Sequence, residues 1–341
     1  LQAKIRYQHS LPELSALNLH GYYRKHFLSL SDTICRLLWQ KNWIHPLYER
    51  WVYKRLAKAG KAPDTPFTKD FFGLQYQGNL NNNIDFNIYF YGAFEKPLLF
   101  FLQDTMHNLA PAQPVFVDIG ANIGQHSLFM STKVHKVHAF EPFIKVRNRL
   151  LHQIAINQLQ NIAVHAVGLS NENTRLPFYA PSGSNEGIGS FDASTVSKGN
   201  IPIGELELVR GDDYFALQQI DQIDIMKIDV EGFEKFALQG LRDTLARTRP
   251  IIVCEMTYGK ELSFTDLDEL RMNLPADYRL YTFDKRKQDG SKARRRDARC
   301  RHTGEYRIIP YSGMLHKGQD DVIACPEEKC DKLSLQRGMN A

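Results

Sequence analysis

Residues 115–127 read VFVDIGANIGQHS. A run of β-branched and apolar residues ends in an acid, Asp118, and two glycines follow, Gly120 and Gly124, with Asn122 between them. This pattern predicts a buried strand that turns sharply into a helix, and such turns carry ligands to helix N-termini in α/β folds.

The alternation continues downstream. Strands are expected in PVFVDIG, KVHAFEP, IAVHAVGLS, IDIMKIDVEG, PIIVCEM, YRLYTFD and DVIACP, and most are followed by segments of helical period. The exception is a β-like insertion over 174–210, after the third strand. Near-continuous apolar strands alternating with helices predict an α/β fold of Rossmann-like, doubly wound type, with a mostly parallel sheet of seven strands covered on both faces. Ligands in such sheets sit beyond the carboxyl ends of the strands, where the strand order reverses. Asp118, Glu141, Asp229 and Glu255 all fall at such ends.

The spacing narrows the ligand. A dinucleotide site wants G-x-G-x-x-G, and here the order is Gly120-Ala121-Asn122-Ile123-Gly124 with a carboxylate two residues ahead. That carboxylate would repel a pyrophosphate but suits an ammonium group. No Gly-Lys-Ser/Thr follows, so a P-loop is absent. Glu141 lies 21 residues after Gly120, where an acid takes ribose hydroxyls. An amine, a ribose and no phosphate describe S-adenosylmethionine, with Asp118, Gly120, Ala121, Asn122, Gly124, Glu141 and Pro142 as its candidate contacts.

VDIGANIGQHS, AFEP, RGDDYF, IDIMKIDVEGFEKFALQG and RPIIVCEM together resemble the FkbM family of S-adenosylmethionine-dependent methyltransferases, from about Phe71 to Met256. GAFE at 92–95 is similar to that family's upstream G-aromatic-E. The resemblance implies a class I methyltransferase fold acting mostly on the oxygen of a sugar, polyketide or other secondary metabolite.

Methyl transfer from a sulfonium is an in-line displacement, so positioning dominates and a hydroxyl acceptor also needs a base. Asp229 is the first candidate for base or acceptor-orienting group, and Glu231 the second, with capping of the next helix as its plainer role. If the chain stays extended, alternation puts Lys227, Asp229 and Glu231 on one side. Lys227 is expected to tether an acid, and His126 is a further base candidate that could equally make a local hydrogen bond. Glu255 could touch the acceptor, and Asp229 with Glu255 could hold a divalent metal, although none is expected. Cys300, His302, Cys325 and Cys330 have the residue types of a zinc site but not its usual spacings.

The net charge of +5 is uneven. Residues 24–61 and 285–301 each hold nine Lys or Arg against two acids, which leaves −9 on the remainder. The first segment belongs to a basic helical extension, 1–62, with apolar faces formed by Ile34, Leu37 and Leu38 and, after Pro46, by Leu47, Trp51 and Val52 with Tyr48 and Leu56. A helical cap on the main domain or on a second subunit is preferred there over a helix resting on anionic lipid. A strand-rich lead-in and helix follow over 63–110, with short strands expected from Phe71 to Glu95 and a helix from Lys96 to Leu109. The methyltransferase domain is placed at 111–326, with a basic insert at 285–301 read as a solvated loop, and a tail at 327–341.

The expected partner is a small-molecule or glycan acceptor. The basic segments could add peripheral contact with an anionic membrane or an acidic partner, and a homo-oligomer is open. Nucleic acid is disfavoured, because the insert has no interleaved aromatics. An RNA methyltransferase and a non-catalytic, cofactor-binding partner subunit are the alternative functions. Five scattered cysteines make a reducing cytoplasm the default compartment, no run of 18 apolar residues suggests a membrane span, and the sequence opens on Leu1 with no leader pattern.

Overall fold

The structure is a computed structural model that describes residues 30–41, 47–181, 189–259, 262–287, 289–313 and 318–338. The expected helical character of 1–29 and the break at Pro46 lie outside the described residues. Chain contacts divide the protein into two compact units, Leu1–Ala62 and Pro63–Ala341.

The first unit is helical. It contains α1 (Leu30–Leu38), a π-helical turn (Tyr48–Tyr53) and α2 (Lys54–Lys58). Trp39, Tyr48, Val52, Tyr53 and Leu56 are buried together with Asp32, which receives the Arg55 guanidinium at 2.9 Å and the Lys61 ammonium at 2.7 Å. The apolar faces read from the sequence are thus split. Tyr48, Val52 and Leu56 point inward, whereas Ile34, Leu37, Leu47 and Trp51 are exposed.

The second unit opens with a hairpin, β1 (Pro66–Phe71) and β2 (Leu74–Asn79), followed by α3 (Asn83–Tyr91) and α4 (Lys96–Leu109). The α3 helix corrects the expectation of strands through this aromatic stretch. Asn82 caps it by accepting from the Ile84 amide at 3.0 Å, Gly92 ends it at φ +86°, and Phe86 and Ile88 are buried along it. The alternation then unfolds as β3 (Val115–Ile119), α5 (Gln125–Ser131), β4 (Lys136–Phe140), α6 (Ile144–Ile156), β5 (Ile162–His165), β6 (Gly168–Ser170), β7 (Thr174–Pro181), β8 (Asn200–Arg210), α7 (Gly211–Leu217), β9 (Ile225–Ile228), α8 (Glu234–Gly240), α9 (Arg242–Thr248), β10 (Ile251–Tyr258), α10 (Leu267–Met272), β11 (Tyr278–Phe283), α11 (Arg294–Thr303), β12 (Tyr306–Pro310), β13 (Gly318–Pro326) and β14 (Gln336–Arg337).

The large sheet has nine strands in the order β14-β12-β11-β13-β10-β9-β3-β4-β5. Seven of them, from β5 across to β11, are the expected set, and β13 is the one that runs against its neighbours β10 and β11. The count of seven is corrected by two short strands, β12 and β14, which pair antiparallel at the β11 edge. The expected insertion supplies β7 and β8 of a separate sheet, β6-β8-β7, whose third strand, β6, is the end of the expected strand IAVHAVGLS, split here into β5 and β6.

Alternation along each central strand divides the core. Phe116, Ile225, Ile251, Val253 and Ile323 pack on one face, and Val117, Met226, Ile252, Cys254 and Val322 on the other. The chain runs β3 to β4 to β5, then returns to β9 on the opposite side of β3. The switch point is therefore between β3 and β9, and the loops leaving these two strands meet there. The insert at 285–301 is not the expected loop, since most of its charge lies on α11. Arg296 donates to the partly buried Asp284 at 2.6 Å, and Arg299 pairs with Glu305 at 2.8 Å. Among the described residues, no helix is long and apolar enough to cross a membrane.

Candidate active site

The site is built where β3, β4, β9 and β10 end. Gly120 adopts φ +80°, and a Cβ there would lie 1.9 Å from the Asp229 carbonyl oxygen, so only glycine lets the two strand ends close. The Asp229 amide in turn donates to the Ile119 carbonyl at 3.0 Å. The amides of Gly120 and Ala121 both donate to the Phe140 carbonyl, and Asn122 turns at φ +54°. Gly124 has φ +87° and starts α5, with Leu150 packed where a side chain would stand.

Glu141 ties this loop to the next strand. Its Oε2 accepts from the Asn122 amide and its Oε1 from the Phe143 amide, each at 2.8 Å. Burial raises its pKa to about 7 against the pull of those two amides. The carbonyls of Glu141 and Pro142 accept from the Arg147 guanidinium, so Pro142 contributes through its backbone. A carboxylate has about four acceptor positions, so Glu141 retains capacity for ligand hydroxyls.

Asp118, the acid read from the sequence as suiting an ammonium group, is buried beside the loop. It has no solvent-exposed surface, and its Oδ2 accepts from the Ser127 hydroxyl at 2.6 Å. Its other oxygen is buried with no partner. Burial raises this carboxyl, and Lys227 and Ser127 oppose the rise.

Lys227 tethers an acid, as its position suggested, with Nζ 3.0 Å from Asp229 Oδ2. Burial alone would lower its pKa, but the Asp229, Asp118 and Glu95 carboxylates outweigh that and keep it charged. The chain does not stay extended through Glu231. β9 ends at Ile228 and Glu231 adopts φ +55°, with its carbonyl accepting from Ser190. The helix that follows has no side-chain cap from Glu231; Glu234, its first residue, instead braces the preceding turn, its Oε1 accepting from the amides of Val230 at 3.1 Å and Gly232 at 3.0 Å.

His126 lies at the start of α5, and burial followed by the nearby Lys227 lowers its pKa well below the usual value. Its Nε2 stands 3.6 Å from Glu95 Oε2. Glu95 precedes α4, and burial, then Asp321 and Asp229, push its carboxyl up to about 8. Glu255 is raised by burial and by Asp229 and Glu95. Beside the possible pair Asp229 and Glu255, a different acidic set comes together: one oxygen each of Glu95, Glu255 and Asp321 lie within 4.8 Å of one another. Register explains it, since Glu255 and Asp321 face each other directly across the β10–β13 ladder.

Glu95 and Asp321 were not among the residues singled out from the sequence. Glu95 had a signal in GAFE, whereas Asp321 had none, because its partner is 66 positions away in the chain. Cys300 and His302 sit on α11, and Cys325 and Cys330 on and just after β13. These four form no metal-ligand cluster among the described residues, and all five cysteines are free thiols.

The model of the methyltransferase FkbM domain family matches residues 118–283. The sheet in which that segment lies is Rossmann-like, mostly parallel with its strand order reversing between β3 and β9. The chain is 27% identical over 150 residues to Methyltransferase 1 of Beauveria bassiana, covering 39% of this chain and 60% of that protein. It is 29% identical over 145 residues to the hexuronic acid methyltransferase AglP of Haloferax volcanii, covering 42% and 56%. It is 30% identical over 159 residues to the methyltransferase sdnD of Sordaria araneosa, covering 38% and 61%. The chain thus spans less than two thirds of each of these relatives. A solved FkbM methyltransferase from Methylobacillus flagellatus superposes with a TM-score of 0.38 at 18% identity, covering 62% of this chain and 43% of that one.

Proposed function

We propose that the protein transfers the methyl group of S-adenosylmethionine to a hydroxyl oxygen on a sugar, a lipid-linked glycan or a secondary metabolite. One observation carries this reading: Glu141 clasps the Gly120–Gly124 loop at the β3–β9 switch point, with Asp229 standing across it. The residues fit that cofactor. Glu141 can accept ribose hydroxyls, the turn 120–124 admits a ligand close to the backbone, and Asp118 has a buried oxygen without a partner beside it. A sugar acceptor gains support from the likeness to a hexuronic acid methyltransferase.

The cofactor, when bound, supplies a methyl already activated by its sulfonium charge. The chain supplies alignment and the fate of a proton. Asp229, fixed by Lys227, orients the acceptor hydroxyl or receives its proton. A nucleic-acid acceptor finds less support, because Arg296, Arg299, Arg301 and Arg307 are each paired with an acid of the same region.

The test is calorimetric titration with S-adenosylhomocysteine, beside NAD and ATP. Micromolar binding of the first alone is expected, and a folded chain that binds none of them overturns the reading. With labelled donor and an accepted hexuronate or glycan, Asp229→Asn is expected to lower kcat by about 100-fold while leaving S-adenosylhomocysteine affinity unchanged.

A further inference from the structure

Acidic side chains gather at many protein surfaces without a ligand, so the triad of Glu95, Glu255 and Asp321 means little alone. A second observation points into it. The His126 side chain is 9% exposed, its Nε2 has no hydrogen-bond partner, and that nitrogen is aimed at Glu95 Oε2 from 3.6 Å. A buried ring nitrogen left without a partner is costly unless something completes it. A neutral imidazole has one nitrogen lone pair to give.

We propose that Glu95, Glu255, Asp321 and His126 form a binding site for one divalent cation of the Mg2+/Mn2+ class. The ligands come from rigid parts. Glu255 and Asp321 are opposed in the β10–β13 ladder, Glu95 heads α4, and His126 lies in the first turn of α5. Gln319 Nε2 donates to Glu255 Oε1 at 2.8 Å and Lys285 Nζ to Asp321 Oδ2 at 2.5 Å, so each carboxylate is oriented through one oxygen and has another to offer.

The size and charge fit. Ligands about 2.1 Å from such an ion lie about 3 to 4.2 Å from one another, so oxygens within 4.8 Å need only a small contraction. Four carboxyl groups, Glu95, Asp229, Glu255 and Asp321, crowd around two ammonium groups, Lys227 and Lys285, and a bound cation would favour the ionised form of the acids that this crowding holds protonated. Hard oxygens select Mg2+ or Mn2+, and one nitrogen ligand tips the preference toward Mn2+.

Resting on the proposed methyltransferase reading, the cation would hold the acceptor's hydroxyl oxygen beside Asp229 and lower the pKa of its proton. Cation binding itself is measurable without any acceptor.

The experiment is titration of the full, chelator-treated chain with Mn2+, read by electron paramagnetic resonance and calorimetry, with Mg2+ in parallel. One Mn2+ per chain is expected, bound more tightly than Mg2+, and weakened at least about tenfold in Glu255→Gln and Asp321→Asn, with folding checked by circular dichroism. Spin-echo spectra of Mn2+ on the unmutated chain are expected to show 14N modulation that His126→Gln removes. A folded chain that binds no stoichiometric Mn2+ overturns the proposal, as does undiminished binding in the folded carboxylate variants. Bound Mn2+ without 14N coupling overturns the four-residue site without recourse to any variant. S-adenosylhomocysteine titrated into the same samples separates the two readings: cofactor binding without Mn2+ sinks the cation site alone, and the reverse sinks the methyltransferase reading alone.

Discussion

A methyl group added to Gly120 would meet the Asp229 carbonyl at 1.9 Å with the backbone at φ +80°. The two strand ends would have to part, so Gly120→Ala is expected to cost about 3 kcal/mol of stability, measured by urea unfolding, and to abolish S-adenosylhomocysteine binding. Glu141→Ala loses the clasp on the Asn122 amide and the acceptor for ribose. A drop of at least about tenfold in S-adenosylhomocysteine affinity is expected by calorimetry, while the change in unfolding temperature is expected to stay small. These residues were legible because they sit in one contiguous motif with known spacing. Asp321 was not, because only the register of β13 brings it to Glu255. His126 was legible as a candidate, but its orientation toward Glu95 depends on how α4 and α5 are packed.

At the scale of elements, two assignments from the sequence failed for the same reason. NIDFNIYFY has the aromatic and β-branched content of a strand, and RRRDARCRHT has the charge of a solvated loop, yet both are helical. Asn82 caps the first, and Asp85 within it accepts from Tyr76, the Asn79 amide and Arg149. The second is held by Asp284, which accepts from Arg296 and Arg307. Distant partners override weak local preference. Asp284→Asn is expected to lower stability by about 1–2 kcal/mol and reduce helicity by circular dichroism.

The adjacent strands β4 and β5 carry a pH dependence. His138 Nδ1 lies 3.1 Å from His165 Nε2, and burial, with Lys136 nearby, lowers both to about 4. The unfolded chain takes up protons near pH 6.5 and the native one does not until near 4. Stability therefore falls as pH drops through that window, and none of this contribution is lost above it. Urea unfolding at pH 7 and pH 5 is expected to show the loss, and the double variant His138→Gln, His165→Phe to reduce it by roughly 1–2 kcal/mol.

At the scale of the whole molecule, the hydrophobic clusters on both faces of the large sheet draw, among the described residues, on those from Phe67 onward. The unit Pro63–Ala341 therefore has its own core. A chain trimmed of residues 1–62 is expected to unfold within about 1 kcal/mol of the full chain, and to bind S-adenosylhomocysteine equally well. A trimmed chain that cannot fold would overturn that autonomy.

The sequence by itself determined the alternation, the strand–loop–helix turn at 115–127 and the acids at the strand ends, because each depends on periodicity or on spacing within about thirty residues. Tertiary structure decided the two added edge strands, the burial of Asp118, the helices at 83–91 and 294–303, the meeting of Glu95, Glu255 and Asp321, and the approach of His126 to Glu95. Those features depend on register and packing between segments far apart in the chain. No local pattern encodes which strand will pair with which, or which oxygen will be left without a partner.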